Sequence, residues 1–200
     1  MWRRLRAQGD GLDAYARLRT AYEGADRAYH NLVHIDECLR ELEGARHLTA
    51  DAAALEAAIW FHDVVYDSHA TDNEEKSAAL WRDVAAAARV EPRVVEKAAD
   101  LILATKHAAV PTDADARLVV DVDLAILGQP PERFDEYERQ IRAEYAWVGE
   151  EQFAAGRGKV LRTFLARPLI YSTEHFRARY EAPARSNLAM SVRRLGQPST

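Results

Sequence analysis

Three short segments of the sequence carry imidazole and carboxylate side chains that a packed helical protein would not need. They are Tyr29-His30-Asn31-Leu32-Val33-His34, His62-Asp63 and Asp121-Val122-Asp123. Residues four apart on a helix share one face, so His30 and His34 would point into one cavity. His62 and Asp63 lie about 100° apart on a helix but can still converge on one ion. Two imidazoles with carboxylates form a mixed nitrogen and oxygen site, which is typical of divalent first-row metals.

Helices must position these side chains, because apolar residues recur at spacings of three and four almost throughout the chain. The stripe of Leu32, Ile35, Leu39 and Leu42 predicts a helix over residues 29–44, with Gly44 as its C-terminal cap. A second helix, capped by Asp51, is expected to run into the segment 61–66. The pattern therefore predicts an all-α fold.

The later helices are marked by turn and cap signals. Thr71 with Glu74 and Asp72 with Glu75 both have capping-box spacing, and Pro92 suits a first helical position. The valines of the apolar run 118–127 would suit a buried strand, but its length and the following Gly-Gln-Pro-Pro favour a central helix. Helical spacing then continues from residue 131 to about residue 196.

Composition limits the class of protein. With 200 residues, of which 48% are hydrophobic and 30% charged, the chain is expected to fold as one domain rather than stay disordered. A net charge of -5 gives no global attraction to a nucleic acid polymer or an anionic membrane. The single cysteine, Cys38, excludes an intramolecular disulfide and is expected to be a small core side chain. Without a signal peptide or a long apolar span, we predict a cytoplasmic protein; its oligomeric state stays open, with a homodimer as one option.

The ordered set His34, His62-Asp63 and Asp123 resembles the signature of the HD superfamily of metal-dependent phosphohydrolases. The stretch Asp121-Val122-Asp123-Leu124 resembles the D-x-D stretch of that family, and Asn73-Glu74-Glu75-Lys76-Ser77 resembles its N-E-x-x-S stretch. The resemblance implies a single helical domain over residues 1–200, with an HD core at about 25–128 and a C-terminal helical extension at about 131–196. It also implies that His34, His62, Asp63 and Asp123 bind one divalent ion, although Asp121 could exchange roles with Asp123.

The segment Tyr29-His30-Asn31-x-x-His34 also resembles the Y-H-N-x-x-H stretch of cyclic-nucleotide phosphodiesterases. In those enzymes the first histidine donates a proton to the leaving oxygen and the second binds metal. The resemblance therefore implies that His30 is a general acid and His34 a ligand. The whole phosphodiesterase catalytic domain is longer than this chain, so the resemblance is confined to this segment.

Four further residues are predicted to bind substrate: His107, Lys106, Arg157 and Glu74. Each has a structural alternative. His107 could instead bind a second ion or be an exposed residue at a helix end, where the dipole favours it. Lys106 could simply be solvated. Glu74 could be the third residue of a capping box.

Arg157 is singled out because it falls on an inward apolar stripe with Phe153 and Phe164. Burying a guanidinium is costly unless it meets an anion. That anion could be the phosphate of a substrate, or a buried carboxylate such as Glu144 or Glu181. Both alternatives are expectations for the structure.

The function that these residues imply, through the resemblance, is a divalent-metal-dependent phosphohydrolase. Its substrate would be a small phosphoester, a nucleotide or related metabolite. The ion could be Mn, Mg, Fe, Co, Ni or Zn, and a second ion is an option. Two alternatives keep the same fold: a di-iron oxygenase on the HD scaffold, and a module that binds a metal or ligand without catalysis.

Overall fold

The structure is a computed structural model in which residues 1–9 and 11–197 are described. These residues form nine α-helices and two short 3-10 helices, and none of them lies in a β-strand. The predicted all-α class is therefore confirmed. The chain divides into two compact units, Met1–Asp123 and Leu124–Thr200. Asp10 and residues 198–200, which belong to the predicted domain of residues 1–200, lie outside the described residues.

The first unit has six α-helices and one 3-10 helix: α1 (Leu12–Tyr22), α2 (Leu32–Ala45), η1 (Arg46–Leu48), α3 (Ala52–Phe61), α4 (Asn73–Ala87), α5 (Pro92–Ala104) and α6 (Ala114–Asp123). Helix α3 is apolar on nearly every side and packs against α2, α4, α5 and α6. Its alanines at 54, 57 and 58 are fully buried, and their small size lets the neighbouring helices approach closely. This central helix ends at the predicted His62-Asp63 pair.

Helix α2 differs from its predicted bounds at both ends. It begins at Leu32 instead of residue 29, because Asn31 is its N-cap and accepts a hydrogen bond from the Val33 amide at 2.8 Å. The prediction that Gly44 is a C-cap is wrong. Gly44 lies inside the helix, whose C-cap is Arg46, with the right-handed φ of -55° that leads into η1. No left-handed residue is needed there.

The predicted caps have mixed outcomes. Asp51 accepts a hydrogen bond from the Ala54 amide at 3.1 Å, and Pro92 occupies the first turn of α5, so both predictions are confirmed. Asp72 is the N-cap residue of α4, but its side chain makes no capping bond and lies 2.8 Å from Lys76 Nζ instead. The predicted capping box therefore does not form, since the Asp72 carboxylate is paired with the Lys76 ammonium.

The apolar run 118–127 is helical and buried at every position except Asp123, as the helix prediction requires. It is not one α-helix, however. After Asp123 it tightens into the 3-10 helix η2 (Leu124–Gly128) of the second unit. Within that unit the Tyr171 hydroxyl donates to the Leu124 carbonyl at 2.9 Å, and Asn187 Nδ2 donates to the Leu127 carbonyl at 2.9 Å. Side chains therefore satisfy carbonyls that a continuing α-helix would have used.

The second unit also contains α7 (Pro131–Glu144), α8 (Glu150–Leu165) and α9 (Glu174–Leu195), close to the predicted extension of 131–196. The first unit starts earlier than the predicted core: Met1 and Arg4 each lie 2.7 Å from the carboxylate of Glu56 on α3. The single-domain interpretation stays a prediction. Among the described residues, no helix is both long and apolar enough to cross a membrane.

Candidate metal centre

Three helices of the first unit bring together two imidazoles and a carboxylate. His34 lies in the first turn of α2, His62 is the C-cap residue of α3, and Asp123 is the last residue of α6. The Nε2 atoms of the two histidines are 3.1 Å apart. Asp123 Oδ1 lies 3.3 Å from the His34 nitrogen and 3.4 Å from the His62 nitrogen. Three of the four predicted ligands thus lie within contact distance of one another.

These separations match those of atoms that share one metal ion. Two ligand atoms bound about 2.1 Å from a metal lie about 3.0 Å apart at a right angle and about 3.4 Å apart at the tetrahedral angle. The three ligand atoms of this group all lie within 4.8 Å of one another. The residues therefore fit a divalent ion, and their mixed nitrogen and oxygen donors suit a first-row metal.

Asp63 borders the same group. It lies in the turn after α3, and its Oδ2 is 3.0 Å from His62 Nε2 and 3.4 Å from His34 Nε2. His62 and Asp63 are at the helix end instead of within the helix, so the carboxylate can turn back toward the imidazoles. The structure brings Asp63 to the site, and its role as a ligand stays a prediction.

The ring of His62 is oriented by a backbone carbonyl. Its Nδ1 lies 2.9 Å from the carbonyl oxygen of Ile59, and since that oxygen can only accept, Nδ1 must carry the hydrogen. In the neutral ring, Nε2 then presents its lone pair to His34 and Asp123. A second hydrogen bond of this kind commonly fixes the tautomer of a metal-binding histidine. In the same region, His34 Nδ1 lies 3.7 Å from the buried sulfur of Cys38.

The electrostatics of the group favour a bound cation. Burial by itself lowers the pKa of His62, but Asp63 and Asp123 outweigh it and hold that pKa well above 6.5. Burial raises the pKa of Asp123, yet the neighbouring His107, His34 and His62 bring it well below 3.8. Burial likewise raises the pKa of Asp63, and the nearby imidazoles, His62 first among them, bring it well below 3.8. Two ionised carboxylates therefore face two imidazoles in a largely buried place, where protons or a metal ion would balance the charge.

His107 is tied to this group through Asp123. Its Nε2 donates to Asp123 Oδ2 at 2.9 Å, while Oδ1 of the same carboxylate faces His34 and His62. The backbone of His107 has a φ of 55°, a left-handed conformation that residues other than glycine rarely adopt. His107 does follow the end of α5, as the structural alternative expected, but it is half-buried and bonded to Asp123 instead of exposed. Binding of substrate or of a second ion by His107 stays a prediction.

Asp121 and Asp123 occupy different places relative to the two histidines. Asp121 is fully buried on α6 and is not part of the His34, His62 and Asp123 group. Since residues two apart point to different sides of a helix, only one of the two carboxylates can reach the histidines. The group therefore contains Asp123 and not Asp121, and the ligand role of Asp123 stays a prediction.

His30 reaches the site from a different position than predicted. Since α2 begins at Leu32, His30 lies in the preceding turn and does not share a helix face with His34, so that expectation is wrong. Its ring stacks on Tyr66, with centroids 4.1 Å apart and planes 27° apart, and meets the ring of His34 edge to face at 6.1 Å. The role of His30 as a general acid stays a prediction.

Sequence reasoning missed Arg27. Its guanidinium donates to the backbone carbonyls of His30, Asp63 and Val64, the first at 3.1 Å and the last at 2.8 Å. Only 9% of Arg27 is exposed. An arginine is expected at the surface, and partners that are backbone carbonyls leave no trace in side-chain patterns. No sequence signal indicates this contact.

The segment Asn73-Glu74-Glu75-Lys76-Ser77 holds the loop after His62-Asp63. Asn73 accepts from the Asp67 amide at 3.2 Å and donates to the Asp67 carbonyl at 2.9 Å. Ser77, one turn later on α4, accepts from the Val65 amide at 3.1 Å and donates to the Val65 carbonyl at 3.3 Å. The N and the S of the N-E-x-x-S stretch, Asn73 and Ser77, thus lie on one face of α4 and fix the backbone of the loop.

Two predicted substrate residues lie at α4 and just after α5, and one of them, Lys106, has partners within the protein. Lys106 donates to the Thr71 carbonyl at 2.9 Å and pairs with Glu75, which raises the pKa of Lys106. Glu74 is half-buried beside Glu75 on α4. Substrate binding by Lys106 and Glu74 stays a prediction, and for Lys106 the alternative of a merely solvated side chain is wrong.

Arg157 lies on α8 in the second unit. Its guanidinium pairs with Glu138 of α7 and lies 5.0 Å from the ring centre of Tyr137. The carboxylate partner is therefore Glu138, and the expectation of Glu144 or Glu181 is wrong: Glu181 accepts from the amide of Ile170 instead. The buried anion that Arg157 requires is thus supplied by the chain, and substrate binding by Arg157 stays a prediction.

Comparisons of the chain with protein-family models, with curated proteins and with solved structures find no match. The assignment to the HD superfamily consequently stays a prediction that rests on the residues quoted above.

Proposed function

We propose that this protein is a divalent-metal-dependent phosphohydrolase that cleaves a small phosphoester, a nucleotide or related metabolite. The observation that carries the proposal is the meeting of His34, His62 and Asp123, whose ligand atoms all lie within 4.8 Å of one another. A divalent ion held by them would lower the pKa of a water molecule and polarise a phosphoryl oxygen. The cytoplasmic location, the option of a homodimer and the absence of nucleic acid partners belong to the same proposal.

The side chains around this group have the chemistry that hydrolysis needs. Asp63, adjacent to the group, can accept a hydrogen bond from the attacking water and so orient it. His30 stacks on Tyr66 beside the site and can give a proton to the leaving oxygen. Lys106 could approach a phosphoryl oxygen after exchanging its partner Glu75.

The experiment compares metal content and hydrolysis in matched variants. We would purify the protein without chelators, measure metal by elemental analysis, and assay an aryl phosphodiester and an aryl phosphomonoester with and without Mn²⁺. His62→Gln and Asp123→Asn should lose both bound metal and activity. His47→Gln and Asp83→Asn, which change exposed residues of the same two types, should keep both.

The alternatives give different results in the same experiment. Two irons per chain with a charge-transfer absorption band would favour the di-iron oxygenase. One metal per chain without turnover of a broad nucleotide panel would favour a binding module. Full activity in His62→Gln or Asp123→Asn would contradict the proposed site.

A further inference from the structure

We propose that Arg27 is a positioning residue that joins the turn carrying His30 to the turn carrying Asp63. The inference rests on the proposed function, since the relative placement of these two side chains matters for hydrolysis at the candidate metal site of His34, His62 and Asp123. It assigns Arg27 no contact with substrate or metal. Its action is exerted through the backbone of the two turns.

The hydrogen bonds of one guanidinium span both turns. Nη1 donates to the carbonyls of His30 and Asp63, and Nη2 donates to the carbonyl of Val64 at 2.8 Å. His30 precedes α2, whereas Asp63 and Val64 follow α3, so the two segments are far apart in sequence. A planar group with five donors in fixed directions can bond to three acceptors from different segments at once, whereas the ammonium of a lysine cannot hold the same geometry.

The surroundings of Arg27 explain why a buried cation is tolerated. The guanidinium lies 5.2 Å from the ring centre of Tyr22 and 5.6 Å from that of Tyr66. Ring faces and carbonyl dipoles are both negative partners for a cation. Because a buried charge is costly when its partners are removed, these contacts hold the two turns together strongly.

Tyr66 links the same arginine to the imidazole of His30. One tyrosine ring lies 5.6 Å from the guanidinium of Arg27 and stacks on the His30 ring at 4.1 Å. Loss of the guanidinium would therefore disturb His30 through its carbonyl and through Tyr66. It would disturb Asp63 through its own carbonyl and that of Val64.

The test compares Arg27→Lys with Arg185→Lys. Arg185 is a matched control because its guanidinium also donates to three backbone carbonyls, those of Leu165, Arg167 and Pro168, in the second unit. We would titrate Co²⁺ into each protein and follow its visible absorption. We expect Arg27→Lys to weaken Co²⁺ binding by about tenfold or more, the size of effect seen when residues that orient metal ligands are changed. Arg185→Lys should bind like the wild type.

Chemical rescue separates positioning from general destabilisation. In Arg27→Ala, added methylguanidinium should restore Co²⁺ affinity, while methylammonium at the same concentration should not. A merely structural loss would show no such preference. Wild-type affinity in Arg27→Lys, or equal rescue by both cations, would overturn the inference.

A measurement without metal keeps this inference distinct from the proposed function. In metal-free protein the amides of Val64 and Val65 should exchange with solvent about tenfold faster in Arg27→Lys than in the wild type and in Arg185→Lys. If the wild type binds no Co²⁺, the proposed function fails, and this exchange comparison still decides the role of Arg27. Unchanged exchange would contradict that role.

If Arg27→Lys does not fold, the wild type supplies the answer. Its guanidinium NMR signals should show slow rotation of the two Nη groups, with hydrogen-bond couplings to the carbonyl carbons of Asp63 and Val64. Rapid rotation without such couplings would overturn the inference.

Discussion

His107 donates its Nε2 hydrogen to Oδ2 of Asp123 at 2.9 Å, which leaves Oδ1 of that carboxylate facing His34 and His62. His107 thereby fixes the orientation of the Asp123 carboxylate, whose other oxygen lies beside the two candidate metal-binding histidines. The backbone of His107 adopts a left-handed φ of 55° in the same place. Two substitutions separate these features. Alanine removes the imidazole ring but keeps the backbone strain, whereas glycine removes the ring and relieves the strain as well.

The first prediction concerns His107→Ala and His107→Gly. Both variants lose the hydrogen bond to Asp123, so both should bind a divalent ion about 10- to 100-fold more weakly. Only glycine adopts a positive φ without strain, so His107→Gly should be more stable than His107→Ala by about 1 kcal/mol. Metal titration and urea unfolding check the two effects. Equal stability of the variants would contradict the strain argument, and wild-type affinity would contradict the orienting role.

The second prediction concerns metal and stability. Since a bound ion stabilises only the folded state, a free concentration near 100 times Kd should add about 2.7 kcal/mol to the free energy of unfolding. Addition of EDTA should remove that increment. Asp123→Asn should show little increment, while Asp83→Asn should show the full one. An equal increment in all three proteins would place the ion elsewhere.

The sequence is sufficient to predict the candidate metal site of His34, His62 and Asp123 but not the contacts around it. His34, His62 and Asp123 stand out because imidazoles and carboxylates interrupt apolar helical stripes, and such residues are rarely buried without a purpose. The position of His30 before α2 does have a local signal in the sequence. Asn31 is a favoured N-cap residue, whereas Tyr29 is not, and this preference places the helix start after His30.

Other contacts had no local signal. Arg27 bonds to carbonyls that every residue possesses, so no pairing pattern identifies its partners. Arg157 needs an acidic partner, but the sequence offers several glutamates, and only the fold brings Glu138 of α7 to the guanidinium. Helix periodicity predicts which face is buried, and it does not predict which distant side chain meets that face.

The third prediction concerns the loop after His62-Asp63. Ser77→Ala removes a hydroxyl that accepts from the Val65 amide and donates to its carbonyl, so it should lower the free energy of unfolding by about 1 to 3 kcal/mol. Thr163→Ala removes an exposed hydroxyl bonded within its own helix and should have little effect. Urea unfolding compares the two. Equal losses would mean that Ser77 does not fix the loop.

The fourth prediction concerns Gly128, the last residue of η2. A Cβ added there would lie 2.6 Å from Cβ of Tyr180 and 2.9 Å from its backbone oxygen, closer than real contacts allow. Gly128→Ala should therefore destabilise the protein by about 1 to 3 kcal/mol. Gly156→Ala is the control, because it lies within α8 with nothing within 4 Å of the added atom. It should stabilise by about 0.5 to 1 kcal/mol, and thermal unfolding that gives both variants the same sign would contradict this account.

The fifth prediction concerns acid unfolding and Glu56. Burial raises the pKa of Glu56, but the Met1 ammonium and Arg4 lower it more, so its pKa in the folded state lies below 4.5. A depressed carboxyl pKa contributes stability that is present above the unfolded value and is lost as the pH falls through the folded value. Glu56→Gln should therefore destabilise the protein at pH 7 by roughly 1 to 3 kcal/mol.

The same variant should lose its disadvantage in acid. At pH values well below 4.5 the wild-type carboxyl also becomes neutral, so the unfolding free energies of wild type and Glu56→Gln should converge. Urea unfolding of both proteins across this range measures the difference directly. Glu43→Gln is the control, since Glu43 is an exposed glutamate paired with Arg46, and surface pairs contribute little. A difference between wild type and Glu56→Gln that stays constant from neutral pH into acid would show that Glu56 stabilises the unit by packing and not by its charge.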